Sequence, residues 1–469
     1  LDETAEPGEA ASGADDLRER EAAYERFVWD NLPRNYAANY VHGMLGMTGF
    51  RLVNAPTFIP AYLHMLAGAA IPGFPPALRL FANPDAIVGL GLALQQVGQV
   101  VSPIVGAAQI EHRKRVLPAS MLMGTMMRVQ ILGMAVSGWV LSGAPLLAAM
   151  LAFLLLLGLF SGAQRVAFQL LLAKVIPISQ RGRLQAWRNV TGGLIAAGLS
   201  YAAGRWLIGA KAYSAGPTVL GVHLWRNGYS TTFLAAFVLT SLGLTALSLL
   251  LREPEPPTLR PQMRVRDRLR DLPALLRHDR GFLFFMLAQT FAVAGRIAAP
   301  FYILFARSTI ELTGANLGLL SLVYLGADTV SNMLWGYLGD RSGFKSTFVI
   351  SLLLWIGATA LLLLGHTPLM VFAAFFGLGA AQSAYMMSSQ TMVLEFGLRE
   401  DMAMRLAFSS TAEGLMSALG PLAGGLIAAV AGYPVLFVVS IVFLIAALAI
   451  LLALVEEPRN RGLTGPARG

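Results

Sequence analysis

The 469-residue sequence contains no cysteine and little charge: 13% of its residues are Asp, Glu, Lys or Arg, against 56% hydrophobic. Without cysteine there is no disulfide framework, thiolate metal site or cysteine nucleophile. A soluble globular domain carries roughly 25% charged residues, so the deficit excludes a disordered, collagen-like or ordinary soluble chain. It leaves a polytopic membrane protein, because lipid selects long apolar segments. Runs such as 151–160 lack the polar/apolar alternation of an outer-membrane barrel, so the spanning elements are helices. A P-loop, a nucleophile elbow and an H-E-x-x-H pair are also missing. The expectation is therefore a protein that is not an enzyme, hydrolyses no ATP and needs no cofactor.

Twelve apolar segments of spanning length follow a polar start. They cover about 40–65, 87–108, 117–141, 146–173, 190–208, 232–251, 282–305, 317–338, 347–364, 369–394, 406–431 and 435–455. The fold class read from them is all-α, twelve transmembrane helices in two six-helix sets. Residues 1–35 read as a polar tail, with nine acids among the first 25 residues and a short amphipathic segment at its end. Residues 36–252 hold the first six spans, 253–280 a basic linker, 281–456 the second six, and 457–469 a terminal tail. The linker begins as a stiff Glu-Pro run and continues as a basic amphipathic stretch from Arg264 to Arg270.

The sequence carries a net charge of +9. With both termini on the cytoplasmic side, nineteen Lys and Arg fall in that side's loops, Arg181, Arg183 and Arg188 among them, and five on the other. The excess of basic residues thus reports topology and anionic headgroups, and nucleic acid is not needed to explain it. The arginine-rich, lysine-poor composition suggests a GC-rich bacterial genome, so the expected location of this helical membrane protein is a bacterial inner membrane.

The two halves repeat weakly. Gly49-Phe50-Arg51 with Pro56 answers Gly295-Arg296 with Pro300, and Gly158-Leu159 with Gln164 answers Gly377-Leu378 with Gln382. After the eighth span stands Gly336-Tyr337-Leu338-Gly339-Asp340-Arg341-Ser342-Gly343-Phe344-Lys345. This decapeptide resembles the loop signature of the major facilitator superfamily, G-x-L-[AG]-D-R-x-G-[RK]-[RK], with only Phe344 out of pattern. The first-half copy is degraded, with Ile110 at the aspartate position and Glu111 beside it. The resemblance implies two pseudo-symmetric six-helix bundles around a central cavity, rocking to give alternating access to a substrate near the midplane. It also implies a secondary transporter, by default a monomer. Gly336, Asp340, Arg341, Gly343 and Lys345 would form a gating loop, with a plain helix-capping turn as the other reading.

Charges inside hydrocarbon are costly and face a cavity or a partner. Away from the span ends these are Arg51, Arg128, Arg165, Arg296, Asp328 and Glu413, with no acid in the first half. Arg51 and Arg296 stand near mid-membrane on the first and seventh spans, where a pair of guanidinium forks suits a carboxylate or phosphate. Organophosphate/phosphate antiporters of the superfamily carry a similar pair. The alternative is that each arginine is neutralised by Asp328 or Glu413. Those two carboxylates read either as proton-coupling groups or as fixed salt-bridge partners. Asn54, Gln95, Gln99, Gln382 and Gln390 are candidate substrate-binding residues, or else hold helices together. Arg128 and Arg165 remain as further intramembrane charges. The methionine clusters at 121–134 and 386–392 suit Cu(I). They also suit an irregular core, and no cysteine or paired histidine supports a metal. A small organic anion, phosphorylated or not and exchanged or coupled to protons, is the substrate class these residues favour. The competing readings are a proton-driven exporter of drug-like compounds and a non-transporting receptor on the same scaffold.

Overall fold

The computed structural model describes residues 7–54, 56–74, 82–110, 114–208, 227–255, 279–396 and 402–457. Most of the linker, 256–278, lies outside them, as does the side chain of Asn54. Every regular element among the described residues is helical. In chain order they are α1 (Pro7–Asp30), α2 (Leu32–Asn54), α3 (Phe58–Ala70), α4 (Pro84–Ile110), α5 (Leu117–Val140), α6 (Gly143–Val175) and α7 (Ile178–Ala202). Then come α8 (Gly228–Leu250), α9 (Arg280–Gly295), α10 (Tyr302–Ala306), α11 (Gly314–Ser342), α12 (Phe344–Leu364), α13 (Pro368–Glu395) and α14 (Met402–Leu454).

Eight helical segments among the described residues are long and apolar enough to cross a membrane. The last of them, α14, is two helices that meet at Gly432 (φ 82°), a positive φ that a Cβ would oppose. The polar start differs from expectation: residues Pro7–Asp30 are helical. This helix is held near its end by the Tyr24 hydroxyl, which donates to the Lys174 carbonyl (2.9 Å).

The first and seventh spans are each interrupted. α2 stops at Asn54 and α3 resumes at Phe58 around Pro56, while α9 gives way to a 3-10 turn, Arg296–Phe301, around Pro300 before α10. A proline lacks the N–H that its turn needs and clashes with the carbonyl four residues earlier. In both halves the break lies beside the arginine, Arg51 or Arg296.

Packing repeats between the halves. α4 lies on α6 and α2 on α8 in the first half; α11 lies on α13 and α9 on α14 in the second. The halves meet through α4 against α14 and α7 against α11. Contacts between them run from mid-height to one end. There Tyr433 donates to Asp85 (2.6 Å), His64 Nε2 lies 3.6 Å from the same carboxylate oxygen, and the Thr57 and Ser321 hydroxyls share a hydrogen bond. That end is closed.

The signature decapeptide is less of a loop than its pattern implies. α11 runs through Gly336, Asp340 and Arg341 to Ser342, and only Gly343 (φ 83°) separates it from α12. Helix propensity carries α11 on until a residue tolerant of positive φ turns the chain. Gly339 leaves room for the Phe344 ring, and Arg341 donates to the Tyr337 hydroxyl (3.2 Å). Asp340 is exposed, and Lys345 is half-buried at the start of α12.

Candidate functional site

A cavity of about 540 Å³ opens inside the first half. Of its seventeen lining residues only Leu325 comes from the second half. α2 contributes one wall with His42, Gly43, Met47, Phe50 and Arg51; Gln99 of α4, Arg128 of α5, Arg165 and Phe168 of α6, Arg188 of α7 and Thr240 of α8 complete it. Four lining residues are arginines, and none is a carboxylate.

Each arginine is held differently. Arg51 bonds Asp328 across the halves (2.8 Å) and the Thr329 hydroxyl (3.2 Å). Arg128 is buried and donates to two helix carbonyls, Thr240 (2.7 Å) and Gly124 (2.6 Å). Carbonyls satisfy its N–H groups without cancelling its charge. Arg165 is exposed into the cavity and has no bonded partner among the described residues. Arg188 is 7% exposed, stacks 5.0 Å from the Phe168 centroid and donates to Gln185 (3.3 Å), while its Nε has no partner.

Three of these charges share one level. Arg128 stands eleven residues from the start of α5, Arg165 ten from the end of α6 and Arg188 ten from the start of α7. At about 1.5 Å per residue each lies about 15–17 Å from its helix end. Those ends are together: Glu253 accepts from the Val116 and Leu117 amides (2.6 and 2.8 Å) and lies 3.2 Å from Lys174 Nζ.

Sequence reading placed Arg188 in a cytoplasmic loop, and the structure moves it inside. The signal was present: Leu184, Arg188, Gly192, Ala196 and Ser200 recur every fourth residue and form the buried stripe of α7. Starting the span at 190 cut Arg188 from it. Gly43 makes the space, since a Cβ there would collide with Arg188 Nε, Cζ and Cδ.

The second half answers with a filled site. Arg296 donates to Gln382 (2.9 Å), faces Glu413 at 3.9 Å and lies over the rings of Trp355 (5.2 Å) and Tyr385 (4.8 Å). The Tyr385 hydroxyl donates to Glu413 (3.2 Å). Arg51 and Arg296 are thus each paired with a carboxylate, Asp328 with Arg51 rather than with Arg296 or Arg128. Gln99 lines the cavity; Gln95 is buried beside the close crossing of α4 and α6 at Gly158; Gln390 is exposed outside the cavity.

Comparison with known proteins gives the fold a context. Residues 285–469 match the family model described as Major Facilitator Superfamily. A mutant form of the nucleoside transporter NupG superposes with a TM-score of 0.66 at 12% identity, over 90% of this chain and 100% of that one. A D-xylose-proton symporter gives 0.66 at 14%, over 91% and 99%. The xylose transporter XylE from E. coli, partially occluded and inward open, gives 0.65 at 13%, over 92% and 99%. No curated protein sequence matches the chain significantly.

Proposed function

We propose that the chain, whose residues 285–469 match the Major Facilitator Superfamily model and whose fold resembles solved transporters, is a secondary transporter of a small organic anion, phosphorylated or not, working by alternating access in a bacterial inner membrane. Its two bundles, 36–252 and 281–456, rock about the linker, with both termini cytoplasmic and the closed end outward. The single observation that carries this reading is the lining of the first-half cavity: four arginines and no acid. A buried cation without a counter-ion is costly, and an anionic substrate supplies the missing charge. D-xylose, the sugar named for the symporter of similar fold, is uncharged and has no use for such a surplus. An exporter of cationic compounds would be repelled by it.

In this reading Arg51 and Arg296 close on the anion from the two halves. Asp328 and Glu413 occupy them in the substrate-free state and take protons as they release them. The D-xylose-proton symporter of similar fold is precedent for proton coupling. Gln99 in the cavity wall and Asn54, three residues after Arg51, bond the rest of the substrate. Gln95, Gln382 and Gln390 hold supporting positions, and the Gly336–Lys345 turn moves with the bundles. The partners are substrate, lipid and a proton, and the protein works as a monomer.

The test is thermal stabilisation of purified protein by organic anions, phosphate esters and cationic drugs, repeated with Arg51→Gln and Arg296→Gln. A ligand that binds the folded state raises the midpoint by mass action. The expected result is a shift with anions that is lost in Arg51→Gln and weakened in Arg296→Gln. Stabilisation by lipophilic cations alone, indifferent to both changes, overturns the reading.

A further inference from the structure

The first-half cavity holds more positive charge than one monoanion neutralises. Asp328 is committed to Arg51 at 2.8 Å, and no carboxylate among the described residues lies within ion-pair distance of Arg128, Arg165 or Arg188. The surplus has two loci. One is the layer of Arg128, Arg165 and Arg188 around His42 and Phe168; His42 lies within electrostatic reach of both Arg128 and Arg188. The other is Arg51. Along α2 they are separated by the eight residues from Gly43, against which Arg188 packs, to Arg51, which is about 12 Å of helix.

The layer has the character of a built site. Arg188 is 93% buried by its 7% exposure, and its Nε, like Nδ1 of buried His42, has no partner. Space for the two buried arginines is carved by glycines: a Cβ at Gly43 would strike Arg188, and one at Gly124 would crowd Arg128 Nη1 at 3.1 Å. A guanidinium taken out of water, fixed against an aromatic face and left with an unused N–H is prepared for an anion.

Resting on the anion reading above, we infer that the substrate is a small organic dianion whose principal anionic group docks on Arg128, Arg165 and Arg188, with its second charge taking Asp328's place on Arg51. Compact dicarboxylates and phosphorylated carboxylates share this chemistry. The second half contributes little to the head-group site, because the cavity wall there is apolar Leu325.

The test uses purified full-length protein, thermal-shift titration and three probes: glutarate, its monomethyl ester and phosphoglycolate. Glutarate and the ester differ by one charge, and phosphoglycolate replaces one carboxylate by phosphate. Glutarate should bind at least about tenfold tighter than the ester, the worth of one charged hydrogen-bonding site, and phosphoglycolate, whose phosphate carries about −1.5 to −2 near pH 7, at least as tightly. Glutarate binding should weaken about tenfold in Arg188→Gln and Arg165→Gln, and less in Gly43→Ala, which displaces Arg188 without removing it; its advantage over the ester should vanish in Arg51→Gln. It should persist in Arg205→Gln, which removes an exposed charge outside the cavity. Arg165 is exposed, so its variant carries the test even if Arg188→Gln fails to fold. Equal binding of glutarate and its ester overturns the dianion site and leaves the anion reading standing, as does glutarate binding unchanged in Arg188→Gln, Arg165→Gln and Gly43→Ala. No shift with any probe at millimolar concentration overturns both. Preference for phosphoglycolate over glutarate, lost in the same variants, supports the site and identifies its head group as phosphate.

Discussion

Arg51 and Arg296 occupy matching places in the two halves, each beside a proline-broken helix, yet their surroundings differ. Arg51 stands at the edge of a cavity with three further arginines and bonds a carboxylate from the opposite half. Arg296 is enclosed within its own half by Gln382, Glu413, Trp355 and Tyr385. The same residue at the same repeat position, equally exposed in both bundles, pairs with a carboxylate across the halves in one and within its own half in the other. The difference teaches that the repeat conserves the backbone break, while the side chains around it decide what the arginine can do. In the function proposed above, substrate charge is handled mainly by the first half, and the second supplies the acids that release it.

The largest effect should come from the helix crossings on which the first-half cavity and the Arg296 site hang. A Cβ at Gly158 would press on the Gln95 carbonyl, whereas one at Gly377 meets only the Ala358 methyl at 3.3 Å. Gly158→Ala should cost about 3 kcal/mol and Gly377→Ala under about 1, read as thermal midpoints in detergent. Equal losses would break the comparison. Next is the pair that joins the halves: Asp328→Asn strands Arg51 and should cost about 2 kcal/mol. A double-mutant cycle with Arg51→Gln should recover a coupling of about 1–2 kcal/mol; zero coupling would mean that the pair contributes only geometry. Arg296→Gln removes two ring contacts and a bond to Gln382, and should cost about 1.5 kcal/mol of stability. It should weaken anion binding less than Arg51→Gln does, and the reverse order would return the clamp to a symmetric one. The smallest effect belongs to the closed end, where Tyr433→Phe deletes one bond to Asp85. About 1 kcal/mol of lost stability is expected, with faster labelling of a cysteine introduced at His64.

Much of the fold was legible. Spanning length, the six-plus-six split and the paired proline breaks follow from hydropathy and from what proline does to a helix. The repeat pairs Gly158 with Gly377, and in the first half Gly158 is where α6 meets the α4 backbone, at the Gln95 carbonyl. In the second half the residue that meets the α11 backbone, at the Tyr324 carbonyl, is Gly379 rather than Gly377. A shift of two residues cannot be seen in a pattern where glycines stand at both places. Arg51 and Gln99 were legible as substrate-binding candidates because charged and polar groups in hydrocarbon need a reason, whereas Arg128 and Arg165 were legible only as further intramembrane charges. Arg188 was not, because one polar turn of α7 looked like the loop it adjoins; burial turns on which face of the helix packs. Asp85 and Tyr433 were missed for a different reason. Both stand at helix ends, where polar residues are ordinary, and only tertiary structure brings them together.

The central claim is that uncompensated arginine charge in the first half binds an anion that crosses the membrane. It is tested most directly by electrical recording from proteoliposomes adsorbed on a solid-supported membrane, challenged in turn with glutarate, phosphoglycolate, xylose and a lipophilic cation. The account predicts a transient current with the dianions, absent in Arg51→Gln and Arg165→Gln and present in Arg205→Gln. A current evoked by xylose or the cation and unchanged by the cavity variants would contradict it.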